Sequence, residues 1–149
     1  MKVILSSLLF VFTISTDFSQ SCIQKYIGEY KVDTEKTIDA LVKANPEKTK
    51  EEMSKEISGF LQKVSMEIKS DGLKITMMGR TNEITVTPVA SKKEGGSCDL
   101  KLDVPLEQLP DGVDPPFLTI YQNENNKLMI KSSVGTNNDM DNYIWTKIE

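Results

Sequence analysis

Most of this chain alternates apolar and polar residues, which is the pattern of a β-strand with one buried face. The clearest example is the segment 64–79, where a predicted two-residue turn at Asp71-Gly72 separates two alternating runs. Another alternating run comes earlier in the chain, and further runs follow as far as the last residue. The predicted strands cover residues 26–33, 64–70, 73–79, 82–89, 98–104, 117–122, 127–133 and 142–149.

The segment between the first two strands has helical periodicity instead. Apolar residues recur at every third or fourth position in a first predicted helix, which has Asp33 or Thr34 as its N-cap. A second helix is predicted to begin at the Asn45-Pro46 dipeptide, with the asparagine as N-cap and the proline in the first turn. Its polar face mixes lysine and glutamate, which is typical of a solvated surface. The two helices form a predicted helical hairpin, residues 34–63.

The number and regularity of the strands predict the fold class. A sheet of about eight antiparallel strands with one apolar face closes best on itself, because closure removes the exposed strand edges. We therefore predict a mainly β (α+β) domain. Its architecture is a single antiparallel barrel, or a strongly curled sheet, with the helical hairpin inserted after the first strand.

The N-terminus has the features of an export signal. A single lysine follows Met1, and the apolar stretch 3–14 is shorter than the ~20 residues that span a bilayer but close to the core of a signal peptide. The 149-residue chain is therefore divided into a signal peptide, 1–21, and one barrel domain, 22–149. The predicted location is extracytoplasmic: secreted, periplasmic, or anchored to the cell envelope by a lipid.

Charge and composition restrict the function classes. The chain has 18 basic and 22 acidic residues, a net charge of −4, and no basic cluster, so nucleic acid is not an expected partner. It contains no histidine, which removes the commonest general base and the usual metal ligand. We therefore predict a protein that is not an enzyme and uses no metal or other cofactor. Catalysis by carboxylates such as Glu29 or Asp33, near the barrel mouth, is the least favoured alternative.

The two cysteines, Cys22 and Cys98, leave three alternatives open. Signal cleavage directly before Cys22 would permit its lipidation, although the preceding residues, 19–21, match a lipoprotein signal only at the position next to the cysteine. A Cys22–Cys98 disulfide is typical of an exported protein with a pair of cysteines. Because Cys98 alternates with apolar strand residues, it suits a buried free thiol as well.

Several strand residues are candidates for an apolar ligand cavity inside the barrel. Methionine-rich surfaces suit flexible apolar ligands, because methionine adapts its shape at little cost, but the same positions also suit ordinary core packing. Arg80, the only arginine in the chain, is a candidate contact for an anionic headgroup at the barrel mouth. The candidate cavity residues are Met66, Ile68, Ile75, Met77, Leu100, Leu102, Met129 and Trp145.

Two segments carry a resemblance to a known family. The stretch IGEYKVD, residues 27–33, resembles the Gly-x-Trp opening of lipocalins, with Tyr30 in the position of the tryptophan. The stretch NYIWTKIE resembles their closing strand, with Trp145 and Lys147 as its aromatic and basic residues. The layout is similar to that of small exported bacterial lipocalin-like proteins of unassigned function, although here the helices follow the first strand. The resemblance implies a barrel that can enclose an apolar cavity, and it implies no reaction.

These expectations lead to a function of the binding class. We predict an exported, non-enzymatic binding module that holds a small apolar ligand or lipid in the barrel. The alternative is a structural or interaction protein of the cell envelope, in which the hairpin 34–63 contacts a partner. Membrane attachment is expected only if Cys22 is lipidated.

Overall fold

The structure is a computed structural model, and it describes residues 22–90, 96–105, 116–133 and 139–149. The predicted export signal, 1–21, lies outside the described residues. The helices are α1 (Thr34–Ala44) and α2 (Lys50–Leu61), and a short 3₁₀ helix covers Asp139–Asn142. The strands are β1 (Gly28–Val32), β2 (Val64–Ile68), β3 (Gly72–Met77), β4 (Arg80–Ala90), β5 (Cys98–Leu102), β6 (Phe117–Gln122), β7 (Leu128–Ser132) and β8 (Trp145–Lys147).

The eight strands form a closed antiparallel barrel in which each strand pairs with its neighbours in the chain. The barrel closes between β1 and β8, where Val32 lies opposite Trp145, and Trp145 also lies opposite Leu128 of β7. The predicted fold class and the helical hairpin after the first strand are therefore confirmed. Closure removes most of the exposed sheet edge, which is the physical advantage that the sequence pattern suggested, although β7 and β8 pair only at Leu128 and Trp145.

One face of each strand points into the barrel, because successive side chains alternate between the two faces of a strand. The interior side chains are large and apolar, and Leu100, Ile120 and Trp145 are each 0 % exposed. Side chains on the outer face of β1 to β3 are mostly charged or carry hydroxyl groups. Burial of this continuous apolar interior is the main force that stabilises the fold.

The turn between β2 and β3 differs from the predicted one. Ile68 lies opposite Leu73, and the Lys69 amide donates to the Gly72 carbonyl at 2.8 Å. The turn is therefore centred on Ser70 and Asp71, one residue before the predicted Asp71-Gly72 turn. This change moves the strand pairing by two residues, so every side chain keeps its predicted face.

The two ends of the barrel are closed by different segments. At one end, residues 22–27, which we call the N-terminal cap, place Ile23 and Tyr26 in the core. At the other end lies the helical hairpin, with Thr37, Ile38 and Leu41 of α1 buried. The Ile144 amide donates to the Thr37 hydroxyl at 3.0 Å, so α1 is fastened to the segment that leads into β8.

The second helix begins later than the sequence predicted. Its N-cap is Thr49, whose hydroxyl accepts a hydrogen bond from the Glu52 amide, while the Glu52 carboxylate accepts from the Thr49 amide. This reciprocal capping box satisfies two amides at the helix start. The predicted start at Asn45-Pro46 is wrong because Asn45 instead ends α1, where its amide donates to the Leu41 carbonyl at 2.9 Å.

Candidate binding site

Seven of the eight predicted cavity residues lie on the inner face of the barrel. Met66, Ile68, Ile75, Leu100 and Trp145 are buried there. Met77 and Leu102 are half-buried at positions that continue the same face, opposite Val64 and Val86.

Met129 lies on the outer face of the barrel, and its assignment to the cavity was wrong. Its neighbours Leu128 and Ile130 are both buried, and Met129 pairs with the outward-facing Tyr121. The sequence run Leu-Met-Ile is apolar throughout, so alternation did not define its inner face. The inner face of β7 is instead decided by the cross-strand contacts of Leu128 with Trp145 and of Ile130 with Ile120.

The described barrel interior is filled by its own side chains. Leu100, Ile120 and Trp145 have no accessible surface, and Ile68 is 1 % exposed. A void large enough for a water molecule would add accessible surface to the side chains that line it. No ligand-sized space therefore adjoins these four residues in the described part of the barrel.

Trp145 is part of this packed interior. Its indole nitrogen Nε1 is buried and has no hydrogen-bond partner among the described residues. Its ring centroid lies 6.2 Å from that of Tyr143, and the two rings are tilted by 50°.

Arg80 lies at the rim of the barrel. It begins β4 and stands opposite Met77, so it shares the face that continues inward to the core, yet the residue is exposed. The turn that precedes it, at Met78 and Gly79, is also exposed, and Met78 is 66 % accessible. Contact between Arg80 and an anionic headgroup stays a prediction.

Cys22 and Cys98 form a disulfide bond that joins the N-terminal cap to the start of β5. This pairing confirms one of the three alternatives. Lipidation of Cys22 would need the same sulfur atom, so a lipid anchor at this residue is incompatible with the bond, as is a pair of free thiols. Disulfides persist in oxidising compartments, and this one therefore favours a location outside the cytosol.

A concave surface with an apolar floor lies beside the helical hairpin. We call it the hairpin groove, and its volume is about 270 Å³. Leu41 and Met53 form the buried floor, together with Tyr143 from the segment before β8. The lining residues are Leu41, Asn45, Lys48, Met53, Glu56, Ile57 and Tyr143.

The rim of the hairpin groove carries one pair of opposite charges. The Lys48 ammonium lies 2.5 Å from the Glu56 carboxylate, and this hydrogen bond raises the pKa of Lys48 above its ordinary value. Both side chains are about half exposed, at 47 % and 51 %. An ion pair this accessible to water contributes little to stability, so its partners can be exchanged at low cost.

Polar contacts also lie beside the groove, one between the two helices and one at the end of α1. Lys50 of α2 forms an ion pair with Asp39 of α1 at 2.7 Å, and this hydrogen bond raises the pKa of Lys50. The Asn45 side-chain amide donates to the Leu41 carbonyl at 3.1 Å. The sequence showed the apolar stripes of both helices but carried no signal that Tyr143, about a hundred positions later, completes the groove.

The acidic residues considered for catalysis do not come together. Asp33 caps α1 and accepts a hydrogen bond from the Lys36 amide at 3.2 Å. Glu29 is exposed on the outer face of β1, opposite Glu67. Among the residues that the structure describes, no group of three histidine, cysteine or acidic side chains has the arrangement of a metal site.

Comparisons with protein-family models, curated proteins and solved structures found no match to this chain. The resemblance to lipocalins therefore stays a prediction. Within the described ranges, no helix is both long and apolar enough to cross a bilayer. The function has to be argued from the geometry of the site.

Proposed function

We propose that this is an exported, non-enzymatic binding protein that holds a small, mainly apolar molecule with one acidic group in the hairpin groove. The observation that carries the proposal is the apolar floor of this groove, where Leu41, Met53 and Tyr143 meet at an open concave surface. Ligand sites are typically concave and mostly apolar, with few polar groups. The filled barrel interior makes the groove a better candidate than the predicted cavity.

The size of the groove favours a small molecule over a protein partner. About 270 Å³ is near the lower end of the volumes that take small ligands. An amphipathic partner helix would need a long groove with anchors spread over several turns. The hairpin 34–63 therefore contributes one wall of a ligand site in this proposal, and contact with an envelope partner is the alternative.

The polar rim of the groove supports an acidic ligand. Lys48 is the cation at the rim, and its present partner, Glu56, is about half exposed. A ligand carboxylate can take the place of Glu56 beside Lys48 while its apolar part covers Met53 and Ile57. The disulfide and the predicted export signal support a location outside the cytosol.

Titrating octanoate into the exported protein tests this proposal. The protein is isolated with its disulfide intact. We expect saturable NMR shifts of the backbone amides of Leu41, Met53 and Tyr143. Shifts confined to Leu100 and Ile120 would instead place the ligand inside the barrel. The absence of any saturable shift would overturn the proposal. The proposal would also fail if the protein bound no octanoate and organic extracts of the native protein contained no ligand.

Three variants separate the parts of the proposal. Ile57→Glu puts a charge in the groove and should abolish octanoate binding. Its matched control, Ile148→Glu, changes an exposed isoleucine at the other end of the barrel and should bind like the wild type. Lys48→Gln should weaken octanoate binding by about two- to fivefold, because an exposed ion pair is lost, and leave octanol binding unchanged. Equal losses for octanoate and octanol would contradict the assigned acidic group.

A further inference from the structure

The hairpin groove has a further polar side chain at its rim besides the pair Lys48 and Glu56. Asn45 ends α1 and lines the groove, and the residue is exposed. Its side-chain nitrogen Nδ2 donates to the Leu41 carbonyl at 3.1 Å, and Leu41 belongs to the groove floor. The side-chain amide of Asn45 is therefore held where the apolar floor meets the polar rim.

The end of α1 is already capped by hydrogen bonds of the backbone. The Leu41 carbonyl accepts from the backbone amide of Asn45 at 2.9 Å, and the Val42 carbonyl accepts from it at 3.2 Å. These bonds satisfy carbonyls that the helix itself leaves without a partner. The additional bond from Nδ2 therefore mainly fixes the side chain, and a side chain that is fixed in advance loses less entropy when it binds a ligand.

One atom of this side chain is available to a ligand. The oxygen Oδ1 of Asn45 accepts no hydrogen bond from any residue that the structure describes. Water satisfies such an exposed oxygen in the free protein, but a ligand that covers Leu41 excludes this water. An acceptor that loses water and gains no donor lowers the affinity, so the groove favours a ligand that brings a donor to Oδ1.

The turn after α1 brings Asn45 and Lys48 together. The Lys48 backbone amide donates to the Asn45 carbonyl at 3.1 Å. A hydrogen bond between residues three apart closes a turn whose ends lie within about 7 Å of each other. The rim therefore carries an acceptor and a cation on neighbouring residues, and the acceptor is the one that is fastened to the floor.

We propose that the ligand of the hairpin groove is an apolar acid with a hydrogen-bond donor between its chain and its carboxylate. The chain covers the floor, the donor binds Oδ1 of Asn45, and the carboxylate takes the place of Glu56 beside Lys48. An N-acylated amino acid, through its amide N–H, and a 2-hydroxy fatty acid, through its hydroxyl, both have this order of groups. The inference rests on the proposed function and adds Asn45 as a residue that determines specificity.

Two matched pairs of ligands, titrated into the exported protein with its disulfide intact, test this inference. N-octanoylglycine has the donor, whereas O-octanoylglycolate has an ester oxygen in its place, and 2-hydroxyoctanoate is compared with octanoate in the same way. The NMR shifts of the Leu41, Met53 and Tyr143 amides give the dissociation constants. We expect the donor to tighten binding by about two- to fivefold in at least one pair, because it satisfies the Asn45 oxygen. The pair that shows this preference identifies the donor as N–H or O–H.

Variants at position 45 locate the acceptor. Only the ratio of the two dissociation constants within a pair is compared, so a general change in groove affinity cancels. We expect this ratio to fall to about one in Asn45→Ala, because the acceptor is gone. Asn45→Gly should give the same result, and glycine is a common residue at helix ends should the alanine variant fail to fold. The matched control, Asn125→Ala, changes an exposed asparagine in the loop between β6 and β7 and should keep the wild-type ratio.

Three results would overturn the inference. A ratio of about one in both pairs for the wild type would show that the groove recognises no donor. A preference that Asn45→Ala keeps and Glu56→Gln removes would assign the acceptor to Glu56. In both cases octanoate binding would leave the proposed function standing, whereas the absence of binding by all four ligands would refute the proposed function together with the inference.

Discussion

Two buried tyrosines show how single residues connect the N-terminal cap to the barrel. The Tyr30 hydroxyl donates to the Tyr26 carbonyl at 2.7 Å, and the Tyr26 hydroxyl donates to the Gly96 carbonyl at 2.7 Å. Burial raises the pKa of the Tyr30 phenol, with a smaller contribution from Tyr26. The sequence placed both residues on a strand, but these hydrogen bonds depend on how the N-terminal cap folds before β1.

Replacing Tyr30 with phenylalanine tests the first of these hydrogen bonds. Tyr30→Phe should lower the free energy of unfolding by about 1–3 kcal/mol, because the buried Tyr26 carbonyl loses its donor. Urea unfolding followed by circular dichroism measures the change. Tyr121→Phe, at a half-buried outer position, is the control and should change stability by less than about 0.5 kcal/mol. Equal effects of the two substitutions would contradict the role of the buried hydrogen bond.

At the scale of elements, the second helix shows what limits a sequence reading. Asn45-Pro46 and Thr49 with Glu52 are both acceptable helix starts. The structure uses the second, because the Asn45 amide already serves the end of α1 and the capping box satisfies two amides at once. The strands were predicted more closely, since a barrel buries one continuous face of each and thereby enforces the alternation.

The capping box should make the helical hairpin sensitive to acid. Hydrogen bonds from Thr49 hold the pKa of Glu52 below its ordinary value. The contribution of the Glu52 carboxylate to stability is therefore complete above the pKa of the unfolded chain, about 4.3, and is lost as the pH falls through the lower pKa of the folded protein. Glu52→Gln should therefore be less stable than the wild type at about pH 7, and the difference should shrink below about pH 4. Urea unfolding at both pH values measures this.

A neighbouring glutamate provides the control for this pH dependence. Glu51 forms an exposed ion pair with Lys55 at 2.9 Å and does not bind Thr49. Glu51→Gln should change stability by a small amount. A difference between wild type and Glu52→Gln that stays constant down to about pH 3 would argue against the capping box as the source.

For the whole molecule, the disulfide decides how one barrel end is closed. Cys98 is fully buried at the start of β5, and its bond to Cys22 fixes the N-terminal cap against the core. The pair of cysteines and the predicted export signal indicated this bond but left lipidation and free thiols as alternatives. Only the distance between the two residues in the fold, 5.4 Å between their Cα atoms, could decide.

Removing the disulfide should destabilise the whole barrel. The bond closes a loop with a sequence separation of 76, so Cys22→Ala combined with Cys98→Ala should lower the free energy of unfolding by about 4–5 kcal/mol in the chain-entropy model. Urea unfolding provides the measurement. Ser97→Ala, which removes a buried hydroxyl without a hydrogen bond in the described structure, should be neutral or slightly stabilising. An unchanged unfolding midpoint in the double variant would contradict a stabilising disulfide.

The sequence by itself determined the antiparallel β architecture, the number of strands and the place of the helical hairpin, because alternation and helical spacing are local consequences of backbone geometry. It left a closed barrel and a strongly curled sheet as alternatives, and the pairing of β1 with β8 decided for the barrel. Of the eight residues that it proposed for the cavity, seven lie on the inner face of the barrel. Met129 was the exception, since a wholly apolar run has no alternation to follow.

Only the tertiary structure decided which surfaces are available for binding. Whether an apolar interior is hollow depends on how side chains from all strands fit together, and here they fill the space around Leu100 and Trp145. The hairpin groove likewise combines residues that are distant in the chain, such as Leu41 with Tyr143. Such sites depend on long-range packing and strand register, which no local pattern encodes.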